Sequence, residues 1–123
     1  MLDLDRFKVT NDTHGHGAGD ELLRHVARRL EESVRDDDTV ARLSGDEFVV
    51  LLHRPGRDVD AARETARTVA DHLLQALDEP YVLEAGTVHH SASIGIAVCD
   101  DPGMAEDVLL DHADVALYAA KRE

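Results

Sequence analysis

The sequence predicts an α+β domain, a sheet with helices packed against it, and three observations support this class. Strand-like and helical segments follow one another in the order β-α-β-β-α-β-β-α, an alternation typical of a sheet covered by helices. Hydrophobic residues make up 43% of the chain but aromatic residues only 3%, so alanine, valine and leucine must fill the core. The length of 123 residues fits a single domain.

The first third of the chain predicts one strand and one helix. Residues 1–5 alternate apolar and acidic side chains, as expected at the end of a strand. Residues 10–19 are rich in Asn, Asp, Thr and Gly and predict a loop. An apolar stripe at helical spacing then predicts a helix that ends at residues 36–38; the stripe consists of Leu23, Val26, Ala27, Leu30 and Val34.

The rest of the chain predicts two hairpins and two helices. Residues 39–43 and 48–52 are strand-like runs around a short connection. The second run is apolar throughout, which favours a central strand covered on both faces. The other elements are predicted at residues 59–77 (helix), 81–84 and 88–98 (a hairpin around Gly86) and 105–120 (helix).

Charge and composition narrow the function classes. A formal net charge of −13 argues against binding duplex DNA or an anionic membrane, but a nucleotide held through a divalent metal is compatible with it. No apolar run approaches the roughly 20 residues that span a bilayer, and no signal-peptide pattern opens the chain. Cys99 is the single cysteine, so an internal disulfide is impossible and a cytoplasmic setting is expected.

Three carboxylates are candidates for a metal site. Asp3 ends the first predicted strand, and Asp46 and Glu47 lie at the tip of the first hairpin. If that strand lies beside the hairpin, the three acids converge, and their mutual repulsion calls for a cation such as Mg²⁺. The alternative, left open by spacing alone, is that they are ordinary solvated acids at strand ends and turns.

Two other patterns are less specific. The glycine-rich residues 14–19 open a helix and could cradle a phosphate, although they are not a P-loop and could equally be a turn. The histidines form no convincing metal site, because His89 and His90 are adjacent on a predicted strand and would point to opposite faces.

Several segments, in order and across essentially the whole chain, resemble one family, the GGDEF domains of diguanylate cyclases. The resemblance implies a central, mainly antiparallel five-stranded sheet flanked by helices, like nucleotidyl cyclases and polymerase palms. The segments are LDLDRFK at residues 2–8, NDTHGH at 11–16, GD at 19–20, RLSGDEF at 42–48, SIGIA at 93–97 and ADVALYAAK at 113–121.

The resemblance also implies an activity and the residues that serve it. The family condenses two GTP molecules into cyclic di-GMP with release of pyrophosphate, and two subunits each hold one GTP. The implied roles are Mg²⁺ (or Mn²⁺) ligation by Asp3, Asp46 and the Leu4 carbonyl, catalysis by Asp46 and Glu47, guanine recognition by Asn11 and Asp20, phosphate contact by Lys8 and Lys121, and close backbone approach at Gly45.

Two further features concern regulation. Arg35 and Asp38 form an R-x-x-D pattern at the spacing of the family's inhibitory product site, although an acidic helix end would look the same. Ser44 replaces the first glycine of the signature, and a positive φ there would cost roughly 1 kcal/mol or more. The alternative function is therefore a weak or inactive regulatory module that binds GTP or cyclic di-GMP.

The resemblance also predicts that residues 1–123 are a domain incomplete at both ends. The family's opening helix and most of its first strand have no counterpart before Met1, and the arginine that the family usually carries shortly after the position of Lys121 is missing too. We therefore expect a longer chain that carries sensor, receiver or phosphodiesterase domains.

Overall fold

A computed structural model describes residues 1–53, 55–99, 101 and 103–122 and confirms the predicted α+β class. In chain order the elements are β1 (Leu2–Leu4), α1 (Phe7–His14), α2 (His16–Ser33), β2 (Thr39–Ser44), β3 (Glu47–Leu51), α3 (Val59–Asp78), β4 (Tyr81–Leu83), β5 (Gly86–Val88), β6 (Ala92–Ile94) and α4 (Glu106–Lys121). A four-stranded antiparallel sheet has the order β2-β3-β1-β6, and β4 and β5 form a separate two-stranded sheet.

The predicted loop at residues 10–19 is wrong. It contains the second half of α1 and the first turn of α2, and the helices are interrupted only at Gly15, whose φ is +92°. Its polar, glycine-containing composition marks the break between two helices, because glycine adopts this backbone conformation without a steric penalty. Thr10 on α1 is buried, and its hydroxyl forms a hydrogen bond with His90, which lies outside the helix.

The predicted strand at residues 88–98 is also divided. Val88 ends β5, and β6 covers only Ala92–Ile94 and pairs with β1. The intervening residues are not part of a strand, since His90 and Ser91 form hydrogen bonds to Asp5 instead of extending the hairpin. Six strands therefore divide as four plus two in the described residues, where the resemblance implied one sheet of five.

The main core lies on one face of the four-stranded sheet. Leu2 and Leu4 are each 1% exposed on that face, and α2 and α3 supply most of the other core side chains. The central strand β3 is covered on both faces only at Phe48 and Val49, while Leu51 is 51% exposed. The buried members contributed by α2 and α3 are Ala18, Leu22, Leu23, Val26, Leu30, Leu73 and Leu77.

The C-terminal helix approaches the sheet closely at Gly95. A Cβ atom at Gly95 would lie 2.7 Å from Leu117 Cα and closer still to Leu117 N and the Ala113 carbonyl. Glycine is therefore required here for contact between α4 and the end of β6. No helix of the described residues is both long and apolar enough to cross a bilayer.

Arg29 ties α2 to the end of α3. Its guanidinium donates to the carbonyl oxygens of Ala76 (2.9 Å) and Pro80 (2.8 Å), and Cζ lies 3.7 Å from the Tyr81 ring centroid. A third bond of 2.6 Å reaches the Glu79 carbonyl. A cation at a helix C-terminus satisfies carbonyls that lack helical partners and interacts favourably with the helix dipole.

Candidate functional site

Antiparallel pairing of β1 with β3 brings the predicted carboxylates together. Asp3 lies directly opposite Glu47, and Asp46 precedes Glu47 in the turn. Burial is the main factor that raises the pKa of both Asp3 and Glu47, and nearby negative charges, Asp46 among them, add to it. Among the negative charges near Glu47, that of Asp114 on α4 raises the Glu47 pKa the most. Such a cluster gains stability from a cation.

The buried oxygen of Asp3 is suited to that cation. Asp3 Oδ1 is shielded from solvent and receives no aligned hydrogen bond in the described part of the chain; its close partner is the ammonium of Lys121, at 2.5 Å. Within residues 1–53, 55–99, 101 and 103–122, no three acidic, histidine or cysteine side chains already converge on a metal position. The residues therefore fit a divalent ion once the ammonium leaves Asp3.

Lys121 bridges two carboxylates from the end of α4. Its Nζ lies 2.5 Å from Asp3 Oδ1 and 2.8 Å from Asp5 Oδ1. Burial alone would lower the pKa of Lys121, but its close contacts with both carboxylates and their negative charges outweigh this and raise the pKa above its usual value. The side chain is therefore a cation inside the acidic cluster, and phosphate contact stays a prediction.

Asp5 organises this corner of the site, a role that the sequence pattern did not predict. Its carboxylate accepts hydrogen bonds of 2.8 Å from Ser91 Oγ and Ser93 Oγ in addition to that from Lys121. Burial would raise the pKa of Asp5, but the Lys121 and serine bonds outweigh it and hold the pKa below its usual range. The sequence signal that could have indicated this role is the pair of serines at positions 91 and 93. Residues two apart in an extended chain share a face, so both hydroxyls can reach one carboxylate.

His90 fastens the turn between β1 and α1. Its Nδ1 lies 3.0 Å from the Asp5 carbonyl oxygen, and its Nε2 lies 2.7 Å from Thr10 Oγ1. Since a carbonyl can only accept, Nδ1 carries the hydrogen. The clasp stabilises Arg6 in a left-handed conformation (φ 59°), which is unfavourable for a non-glycine residue. His90 is buried and His89 is exposed beside Asp78, both outside any strand, so their predicted placement on a strand is wrong.

The two predicted guanine-reading residues lie on consecutive helices. Asn11 on α1 packs against Gly19 on α2 so closely that a Cβ at position 19 would lie 2.9 Å from Asn11 Cγ and closer still to Oδ1. Asn11 is half-buried, whereas Asp20 and the predicted phosphate contact Lys8 are exposed. Gly19 therefore leaves the space that the Asn11 amide occupies, and a larger residue there would displace the amide.

In the signature hairpin turn the positive φ falls on Gly45 and not on Ser44. Gly45 has φ +49°, while Arg6 is the non-glycine residue with positive φ among those described. Ser44 pairs with Glu47 at the end of the hairpin, so the backbone cost expected for serine does not arise. Arg42 Nε donates a 2.7 Å hydrogen bond to the Gly45 carbonyl and closes the turn, a contact that the sequence pattern did not predict.

Arg35 and Asp38 meet at the turn before β2. Arg35 Nε lies 3.6 Å from Asp38 Oδ2, and the Asp38 carboxylate accepts 3.0 Å bonds from the backbone N–H groups of Arg35 and His53. Burial would raise the pKa of Asp38, but these bonds and the Arg35 charge hold it below its usual value. Arg35 also donates to the His53 carbonyl at 2.8 Å and remains 59% exposed at its side chain.

Comparisons with known proteins find relatives and solved structures that match almost the whole chain. A bifunctional diguanylate cyclase/cyclic di-GMP phosphodiesterase, MucR of Pseudomonas aeruginosa, is 44% identical over 123 residues, which cover 98% of this chain and 17% of that protein. The crystal structure of an EAL/GGDEF domain protein from M. capsulatus has a TM-score of 0.86 at 43% identity and covers 98% of this chain and 75% of that one. The GGDEF domain of DgcB from Caulobacter crescentus, in complex with c-di-GMP, has a TM-score of 0.85 at 28% identity and covers 98% and 69%.

The chain spans about a sixth of the length of MucR. The sequence profile described as "Diguanylate cyclase, GGDEF domain" matches residues 1–123. The match spans the whole described fold, and the chain belongs to the GGDEF domain family of diguanylate cyclases.

Proposed function

We propose that this domain condenses two GTP molecules into cyclic di-GMP with release of pyrophosphate. The observation that carries the proposal is the cross-strand pair of Asp3 and Glu47, with Asp46 beside it and a cation drawn into the cluster. Partly buried acids with raised pKa values are characteristic of catalytic sites.

The chain's own groups would hold the nucleotide and its metal. Asp3, Asp46 and the Leu4 carbonyl would ligate Mg²⁺ or Mn²⁺, which when bound neutralises phosphate charge and favours ionisation of the attacking 3′-hydroxyl. Glu47, whose pKa is raised, would accept the proton from that hydroxyl or complete the metal ligation. Phosphate and guanine would be contacted by Lys8, Lys121, the Gly45 backbone, Asn11 and Asp20.

Catalysis would require two copies of the domain. Each subunit would present one GTP, and the 3′-hydroxyl of each nucleotide would attack the α-phosphate of the other. The rate per protomer should therefore rise with protein concentration. We also propose that the domain works in the cytoplasm within a longer chain that carries sensor, receiver or phosphodiesterase domains, as the short coverage of MucR suggests.

Incubation of the full-length protein with GTP and Mg²⁺ tests the activity. Cyclic di-GMP is expected from the natural sequence, and the Asp46→Ala variant should bind GTP more weakly and make no product. The proposal fails if no product forms at high protein concentration while Asp46→Ala binds GTP equally well.

Arg35 and Asp38 are proposed to bind cyclic di-GMP as an inhibitory product site. Their contact, together with the exposure of the Arg35 guanidinium, supports this role. In calorimetry, Arg35→Ala should weaken cyclic di-GMP binding, whereas Arg28→Ala, which removes an exposed arginine from α2, should not. Equal binding by both variants would contradict the assignment.

A regulatory module that binds nucleotide without turnover is the second candidate. The observation in its favour is Ser44, whose side chain adds bulk at the signature turn while the Arg35–Asp38 pair remains formed. Ser44→Gly separates the two functions. A gain from no turnover to turnover supports the regulatory module, and similar turnover in both proteins supports the cyclase.

A further inference from the structure

The ammonium of Lys121 lies against the Asp3 oxygen that is proposed to bind a metal ion. Its ammonium is 2.5 Å from Asp3 Oδ1 and is also held, at 2.8 Å, by Asp5. We propose that Asp5 is a positioning residue that holds Lys121 beside Asp3 and retains the lysine within the site when a metal ion binds Asp3. This inference rests on the proposed role of Asp3 as a metal ligand.

The first step is a competition for one oxygen atom. A divalent ion binds a carboxylate oxygen at about 2.1 Å, and a cation already 2.5 Å from the same oxygen repels it. The Asp3 side chain is only 15% exposed, so approach from another direction is restricted. Metal binding at Asp3 therefore requires the ammonium to move.

The second step is retention of the displaced lysine. The Asp5 carboxylate accepts hydrogen bonds from Ser91 and Ser93, and the Asp5 backbone N–H donates to the Ser91 carbonyl, so Asp5 does not follow the lysine. The close packing of α4 on Gly95 holds the base of the Lys121 side chain, and movement is limited to side-chain rotation. Lys121 can then leave Asp3 without leaving Asp5.

Loss of the Lys121 ammonium should consequently strengthen the binding of a bare metal ion and weaken the binding of a metal–nucleotide complex. When a metal ion binds alone, displacement of the ammonium from Asp3 costs free energy that no new contact of the lysine offsets, so the bare ion binds weakly. When the ion arrives with a triphosphate, the displaced lysine gains an anionic partner. The domain would therefore favour a metal–nucleotide complex over the bare ion.

Binding of Mn²⁺ without nucleotide, followed by electron paramagnetic resonance, tests the competition in the full-length protein. Lys121→Met should tighten Mn²⁺ binding by roughly tenfold, because one nearby positive charge is removed. The same variant should weaken Mg²⁺–GTP binding in calorimetry by a similar factor. Arg122→Met is the matched control, since it removes a cation from the next residue, which lies over Tyr118, and should change neither affinity.

A double-mutant cycle tests the role of Asp5. Asp5→Asn should weaken Mg²⁺–GTP binding in the natural background and have little effect in the Lys121→Met background, since its role acts through the lysine. Equal losses in both backgrounds would show that Asp5 has only a structural role. Thermal unfolding of each variant, with Ser91→Ala for comparison, reports any general loss of structure.

The outcomes separate this inference from the proposed function. If Lys121→Met leaves Mn²⁺ affinity unchanged or weakens it while Asp3→Asn abolishes Mn²⁺ binding, the competition is refuted and the metal assignment stands. If Asp3→Asn binds Mn²⁺ as well as the natural protein does, both are overturned.

Discussion

Gly95→Ala should destabilise the domain and disturb the Lys121 contacts together. The added Cβ would lie 2.7 Å from Leu117 Cα, so that contact alone requires α4 to move by about 0.7 Å to reach an ordinary 3.4 Å, and the closer Leu117 N and Ala113 carbonyl require a larger movement. The obstructing atoms belong to the helix backbone and cannot rotate away. Overpacking of this kind costs about 3 kcal/mol, the upper part of its usual range.

Urea unfolding gives the change in the free energy of unfolding, and calorimetry gives the accompanying loss of GTP affinity. Gly17→Ala is the matched control, because nothing lies within 4 Å of its added Cβ and its φ is not positive. That control should be neutral or should stabilise the domain by about 0.5 kcal/mol. A cost below about 0.5 kcal/mol for Gly95→Ala, within the range of an ordinary surface substitution, would refute the reasoning.

Four further predictions concern single groups. Gly19→Ala should displace the Asn11 amide and weaken GTP binding by roughly tenfold in calorimetry; unchanged affinity would contradict the guanine assignment. His90→Leu should lower the free energy of unfolding in urea by about 2 kcal/mol, since it leaves the Asp5 carbonyl and the Thr10 hydroxyl unpaired. Arg29→Met should cost about 2 kcal/mol by the same measurement, and a neutral result would show that the carbonyls at the end of α3 find water instead. The pKa of Asp38 in the folded domain lies below the ordinary value of 3.8. The ionised Asp38 carboxylate therefore stabilises the fold fully above that pH, and this stabilisation is lost as the pH falls through the lower folded-state pKa. Asp38→Asn should therefore lose less stability between about pH 7 and pH 3 than the natural protein, and parallel losses would argue against this role.

Local patterns predict much of the fold. The apolar stripe of α3 and the runs on either side of Gly45 correspond to observed elements within one or two residues. Helix α1 could not be predicted in the same way, since its eight polar-rich residues have no apolar stripe and depend on tertiary contacts such as Thr10 with His90. Stability from tertiary packing overrides local propensity in such short helices.

The candidate site was predictable only in part. Asp46 and Glu47 are neighbours in sequence, but the pairing of Asp3 with Glu47 depends on strand order, which periodicity does not determine. The roles of Arg42 and Asp5 depend on hydrogen bonds made by their side chains, one to a carbonyl and the other from two serines and a lysine. Spacing in the sequence carries no information about such bonds.

The alternation within β1 makes correct folding and assembly of the site a single event. Leu2 and Leu4 fill the core from the strand that carries Asp3 on its other face. A one-residue slip of β1 would place a carboxylate in the core and two leucines among the acids, and such a chain would not be stable. A stably folded molecule therefore has Asp3 opposite Glu47. A molecule with β1 in the wrong register would be too unstable to present a wrongly assembled site.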